Sequence, residues 1–168
     1  RERELLKQLR KSVADGFRGF ELFFQPIVRV GQDVPFMAES LLRFKTTDGE
    51  MVSPVEFIPI LEESGLIIPV GKWLIDRALS MCAECQKTQP EFHISVNLSY
   101  VQILKSDVCE EIEHWIEFYN LKPESLMVEL TESGYVDDNS PAVKRLWDRL
   151  REYGVMIALD DFGTGYSN

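Results

Sequence analysis

FHISVNLS, residues 92–99, alternates apolar and polar side chains for eight positions. Successive side chains of an extended chain point to opposite faces. Phe92, Ile94, Val96 and Leu98 therefore share one face, and His93, Ser95, Asn97 and Ser99 the other. A strand is predicted here. Ser99 with Gln102 then forms a capping box that opens a helix reaching to about Asn120. The same unit recurs downstream. LMVELTE (126–132) reads as a strand, Ser140-Pro141 opens a helix to Tyr153, and VMIALDD (155–161) reads as a further strand. Asn97, Glu129 and Asp161 stand 32 residues apart, so equivalent strand ends recur one unit apart. Strands alternating with helices predict a parallel sheet with helices packed outside it.

Upstream the pattern is less regular. Apolar spacing of three and four marks a helix from about Glu2 to Asp15, closed by Gly16. FELFFQPIV (20–28) reads as a strand whose Pro26 indicates an edge or irregular position, and PFMAESLLRF (35–44) as a second. Ser53-Pro54 starts a helix that ends near Gly65, and a longer helix is predicted from about Gly71 to Lys87. No linker, low-complexity tract or charge block divides the chain, so a single domain is predicted.

Composition narrows the function. The 168 residues are 45% hydrophobic, enough for a sizeable core. Eighteen basic against twenty-eight acidic residues give a net charge of −10, which repels a nucleic-acid polymer; a phosphate substrate would need cations. The longest apolar runs, GLIIPVG and VMIAL, fall short of the ~20 residues that cross a bilayer. The first residues, RERELLKQLRK, are charged and do not read as a signal peptide. Three cysteines make no disulfide framework, and a cytoplasmic location is expected. Cys82 and Cys85 form a C-x-x-C within a helical pattern. With Cys109, His93 and His114 at irregular spacing, helix packing is the expected role rather than zinc or redox chemistry.

Sorting strand residues by parity collects oxygen ligands. Met37, Glu39, Leu41 and Arg43 share one face of their strand, while Ala38, Ser40, Leu42 and Phe44 share the other; Glu129 and Thr131 oppose Val128 and Leu130. If the apolar faces meet the helices, Glu39, Asn97 and Glu129 all look into the interior, where a carboxylate must be paired or bind a metal. With Asp160 or Asp161 the set is all oxygen, which suits Mg²⁺, Mn²⁺ or Ca²⁺ rather than zinc. Where the strand turns into FGTG, both aspartates can reach one region, each toward a different ion. Two ions ~3.5–4 Å apart can stabilise both oxygens of an in-line phosphoryl displacement. Taken singly, Glu39 or Glu129 could pair with Arg43 or a lysine, Asn97 could cap a loop, and FGTG could be a plain turn. Four such residues on strand ends with one parity favour a common site.

These residues bring the chain into resemblance with the bacterial EAL domain, the cyclic di-GMP phosphodiesterase family. The matching stretches are FFQPIV, AESLLRF, SPVEFIPILEESGLI, VGKWLID, SVNLS, VELTES and ALDDFGTGYSN. The resemblance implies a TIM-like (β/α)8 barrel with an antiparallel first strand. It implies that Glu39, Asn97, Glu129 and Asp160 ligate a first metal, Mg²⁺ or Mn²⁺, and that Asp161 serves a second metal and the attacking water. Catalysis would fall to Asp161, Glu129 and Glu132, with Glu132 holding the loop after Asp161. Gln25, Leu41 and Arg43 would contact the substrate. The implied reaction is hydrolysis of cyclic di-GMP to linear pGpG; the alternatives are a receptor that holds the dinucleotide without cleaving it and an unrelated metal phosphohydrolase on the same fold.

Two residues depart from the family pattern: Ser40 replaces the alanine of the signature triplet, and Leu61 stands where a small residue is usual. About five strands are counted against the eight of a complete barrel. Residues 1–168 therefore read as the N-terminal two-thirds of a single EAL domain. The family's later lysine, glutamate and glutamine motifs would lie beyond Asn168. The expectation is weak metal binding and no turnover by these residues alone, and association as a homodimer over the open sheet edge. The helix at 2–15 could continue a signalling helix from a sensor or GGDEF domain before Arg1, a region that could tether the full-length protein to a membrane, or it could pack under the barrel.

Overall fold

Leu5 and Leu9 recur at helical spacing in α1 (Glu2–Ala14) and are its buried residues. The chain then forms β1 (Phe20–Val28), β2 (Pro35–Lys45) and a two-residue β3 (Met51–Val52). Helices α2 (Pro54–Ser64) and α3 (Ile67–Gln86) lead to β4 (His93–Leu98). After α4 (Tyr100–Lys105) and α5 (Val108–Phe118) comes β5 (Leu126–Leu130), and α6 (Pro141–Tyr153) leads to β6 (Met156–Ala158). A computed structural model of the chain describes residues 1–130 and 140–158.

The strands form one sheet in the order β1-β2-β4-β5-β6, with β3 attached to β2. β1 runs antiparallel to β2, and the pairs β2–β4, β4–β5 and β5–β6 are parallel. This is the predicted architecture, an antiparallel first strand followed by βα units, and among the described residues the barrel is not closed. Pro26 lies on β1, the edge strand of the sheet among the described residues, as its missing N–H predicts.

The predicted parity holds. Ala38, Ser40, Leu42 and Phe44 are buried along β2, while Glu39, Leu41 and Arg43 are only half-buried. Along β5, Leu126, Val128 and Leu130 are buried and Glu129 is half-buried. The buried face joins the helices in one core that includes Phe57, Ile75, Leu79, Ile94, Ile112 and Leu150. At one end Phe20 stacks at a tilt on Phe44, ring centroids 4.8 Å apart, with Phe57 within 6.4 Å of both.

Two predicted boundaries need correction. The helix expected from Ser99 to Asn120 is two helices, because Ser106 is extended and the Asp107 side chain accepts the Glu110 N–H at the start of α5. Short polar side chains that bond to nearby backbone favour such caps over continued helix. The helix expected from Gly71 begins at Ile67, since Pro69 falls in its first turn, where the missing N–H has no helical partner to lose. The short strand β3 carried no signal of its own in the sequence; two residues are too few for periodicity.

Phe57 has no exposed surface, and its ring joins the base of α2 to β1 and β2. Phe57→Ala is expected to lower the unfolding free energy by about 3–5 kcal/mol, as read from urea denaturation.

Candidate functional site

Register fixes how the polar residues meet. Asn97 on β4 lies directly across from Glu129 on β5, and Gln25 on β1 directly across from Glu39 on β2. Glu39 is level with Ser95, one pleat short of Asn97, yet the Asn97 Nδ2 donates to Glu39 Oε2 at 3.3 Å. Three adjacent strands thus bring Glu39, Asn97 and Glu129 to neighbouring positions on the face away from the helices. The Asn97 amide spends a donor on Glu39, and its carbonyl oxygen remains an acceptor suited to a hard cation.

The substrate residues proposed from the sequence share that face. Leu41 lies across from Phe23 and Arg43 across from Glu21. The Arg43 guanidinium donates to the Leu42 carbonyl at 2.9 Å and sits 5.6 Å from the centre of the Phe23 ring. That contact orients a long cationic side chain over β1. No ion pair joins Glu39 to Arg43 among the described residues, so the simple ion-pair reading of Glu39 finds no support. Asn97 is likewise no loop cap: it lies inside β4 and bonds Glu39.

Ser99 departs from its predicted face. The strand ends at Leu98, and the Ser99 hydroxyl turns to cap α4 and to donate to Glu62 Oε2 at 2.6 Å. Glu132, Asp160 and Asp161, with the FGTG turn, lie outside the described residues. No group of three or more histidine, cysteine or acidic residues converges among the described residues; the described part of the site is two carboxylates and one carboxamide. That donor set, oxygen throughout, fits a magnesium or manganese ion and offers nothing a zinc site would select.

The EAL domain family matches residues 6–168. This chain belongs to the EAL domain family. Relatives include the signaling protein YkoW of Bacillus subtilis, 37% identical over 149 residues, covering 89% of this chain and 18% of that protein. The cyclic di-GMP phosphodiesterase PA2567 of Pseudomonas aeruginosa is 34% identical over 150 residues, covering 89% of this chain and 25% of that protein. Among solved structures, the PaMucR phosphodiesterase in complex with c-di-GMP superposes with a TM-score of 0.81 at 30% identity. The match covers 98% of this EAL chain and 66% of that one. The chain thus spans a quarter or less of the length of these two curated relatives. No helix among the described residues is long and apolar enough to cross a membrane.

The cysteines stand apart from this site. Burial pushes the Cys82 thiol up to about 12, and burial with a hydrogen bond to Glu113 does the same for Cys109. Cys82 is packed inside α3 against the Phe92 carbonyl, and all three cysteines are free thiols. A thiol held neutral and enclosed is a poor nucleophile and a poor metal ligand. Iodoacetamide at pH 7.5 is expected to label half-buried Cys85 first, and Cys82 and Cys109 only when the chain is unfolded, as resolved by peptide mass spectrometry.

Proposed function

We propose that this EAL domain serves a metal-dependent phosphodiesterase that opens cyclic di-GMP to linear pGpG. The observation that carries the reading is the placement of Glu39, Asn97 and Glu129 on adjacent strands, with Asn97 bridging to Glu39. Family membership and relatives named as cyclic di-GMP phosphodiesterases support it.

Glu39, Asn97 and Glu129 would hold a Mg²⁺ or Mn²⁺ ion through their oxygens, and Asp160 and Asp161 would add the further carboxylates of a two-ion set. When bound, the ions neutralise phosphate charge and supply Lewis acidity, which a chain of net charge −10 lacks. Arg43 offers a planar fork to a phosphate, Gln25 offers donor and acceptor to a guanine edge, and Leu41 supplies apolar contact. Asp161 orients and deprotonates the attacking water, and Glu132 holds the loop that carries it. Water oxygen bonds to phosphorus as the bond to one ribose 3′ oxygen breaks. The leaving oxygen takes a proton from solvent, to which Asp161 returns the one it removed, and a 5′ phosphate remains on the other end.

The partners in this reading are cyclic di-GMP, a second copy of the domain, and a sensor or GGDEF domain in the longer protein, which works in the cytoplasm.

Calorimetric titration of the full-length protein with Mn²⁺ and then with cyclic di-GMP tests the site. Both are expected to bind, and Glu39→Gln is expected to lower Mn²⁺ affinity more than about tenfold, since even the outer partners of a metal ligand carry that much. Mn²⁺ binding unchanged by Glu39→Gln, or no cyclic di-GMP binding, overturns the proposal. pGpG release in Mn²⁺ by the full-length protein identifies the enzyme, whereas binding without release identifies a receptor.

A further inference from the structure

β2 and β4 part company at the level of Glu39: their pairing runs from Met37 and His93 only as far as Glu39 and Ser95. Beyond that point β2 continues to Lys45, paired with β1 and β3, while β4 continues to Leu98, paired with β5. A cavity of about 240 Å³ lies between the diverging strands and the helices behind them. Its apolar wall includes Leu42, Ile58, Val70, Leu74 and Leu98.

Most polar side chains around this cavity are engaged by protein neighbours. The Ser99 hydroxyl donates to Glu62, the Gln102 carbonyl accepts from the Ser99 N–H, the Asn97 amide donates to Glu39, and Arg43 donates to the Leu42 carbonyl. Ser40 is 2% exposed, lines the cavity, and its hydroxyl has no hydrogen-bond partner among the described residues. A buried hydroxyl left unpaired is unfavourable by about 1–3 kcal/mol, so such a group marks a place where a partner is accommodated.

We propose that this cavity, which adjoins the phosphodiester site through Leu41, Arg43 and Asn97, is a second ligand site for a small neutral molecule that is mostly apolar and carries one hydroxyl. Size supports this: an apolar cavity of about 150 Å³ holds benzene, so the larger space here accommodates an alkylphenol or a medium-chain alcohol. The one charged residue of the lining, Arg43, turns its guanidinium to the Leu42 carbonyl and the Phe23 ring, so the apolar wall offers a charged ligand no counter-charge. The ligand hydroxyl pairs with Ser40, and its hydrocarbon part fills the wedge between β2 and β4. Because Glu39 and Asn97 sit on those two strands, occupancy fixes their separation and so tunes the pair that the ion would use.

The test needs neither metal nor cyclic dinucleotide, so it is independent of the function proposed above. 4-Ethylphenol is titrated into the ¹⁵N-labelled 168-residue chain, and the side-chain amide signals of Gln102 and Asn97 are followed. Saturable shifts of both are expected, with a raised melting temperature. Ser40→Ala, which removes the orphaned hydroxyl and is expected to fold at least as stably, should weaken binding about two- to tenfold, the value of one hydrogen bond. Ile58→Phe, which fills the space from a half-buried position, should abolish it. Absence of saturable binding to the unsubstituted chain overturns the proposal, including the case of an ordered water that 4-ethylphenol fails to displace. So does either variant binding as tightly as the unsubstituted chain.

Discussion

Parallel pairing of β4 with β5, in the register that sets Asn97 opposite Glu129, is the constraint on which the site depends. A slip of one residue would turn every side chain of a strand to the other face, burying the carboxylate of Glu129 under the helices and exposing Val128. The core prevents that slip. Ile94, Val96 and Leu98 on one strand and Leu126 and Val128 on the next are at most 1% exposed against the helix layer. Apolar burial on one face thus holds polar oxygens in position on the other, which is how a fold stabilised by hydrocarbon can present a charged site.

The antiparallel β1 adds residues that a plain βα repeat would not. It sets Gln25 beside Glu39 and places the Phe23 ring within reach of Arg43. Cationic and amide groups then flank the carboxylates on one surface, a combination that handles a nucleotide phosphate better than either sign alone. Arg1 is occupied elsewhere. Its guanidinium bridges Glu50 and Glu56 at 2.8 Å each and pulls both carboxyls below their ordinary range, joining the start of α1 to β3 and α2. These are exposed groups, and such pairs contribute little to stability.

The divergence of β2 from β4 sets this sheet apart from a uniform ladder. Pairing that ends at Glu39 leaves the last turn of each strand to find other neighbours, and the helices behind do not fill the wedge. Ser40, where the family signature has alanine, occupies the wall of that wedge. A hydroxyl there has a consequence that its outward parity alone would not suggest: the residue is remote from Glu39 and Asn97 by face, yet adjacent to Glu39 along the strand.

The sequence by itself determined the strand faces, the antiparallel entry of the first strand by resemblance, and the candidate ligands Glu39, Asn97 and Glu129, because a period of two is written directly in alternating apolar and polar residues. It also determined most helix starts, since Ser53-Pro54, Ser99 with Gln102, and Ser140-Pro141 are local chemistry. Ser106-Asp107 was the same kind of signal, hidden inside a continuous helical pattern. Only the tertiary structure decided that Asn97 bridges to Glu39, that Ser99 turns away to Glu62, and that β2 and β4 separate to leave a cavity at Ser40. Those features arise from pairing between residues dozens of positions apart, and register between strands is set by the packing of the whole core rather than by any local run of residues.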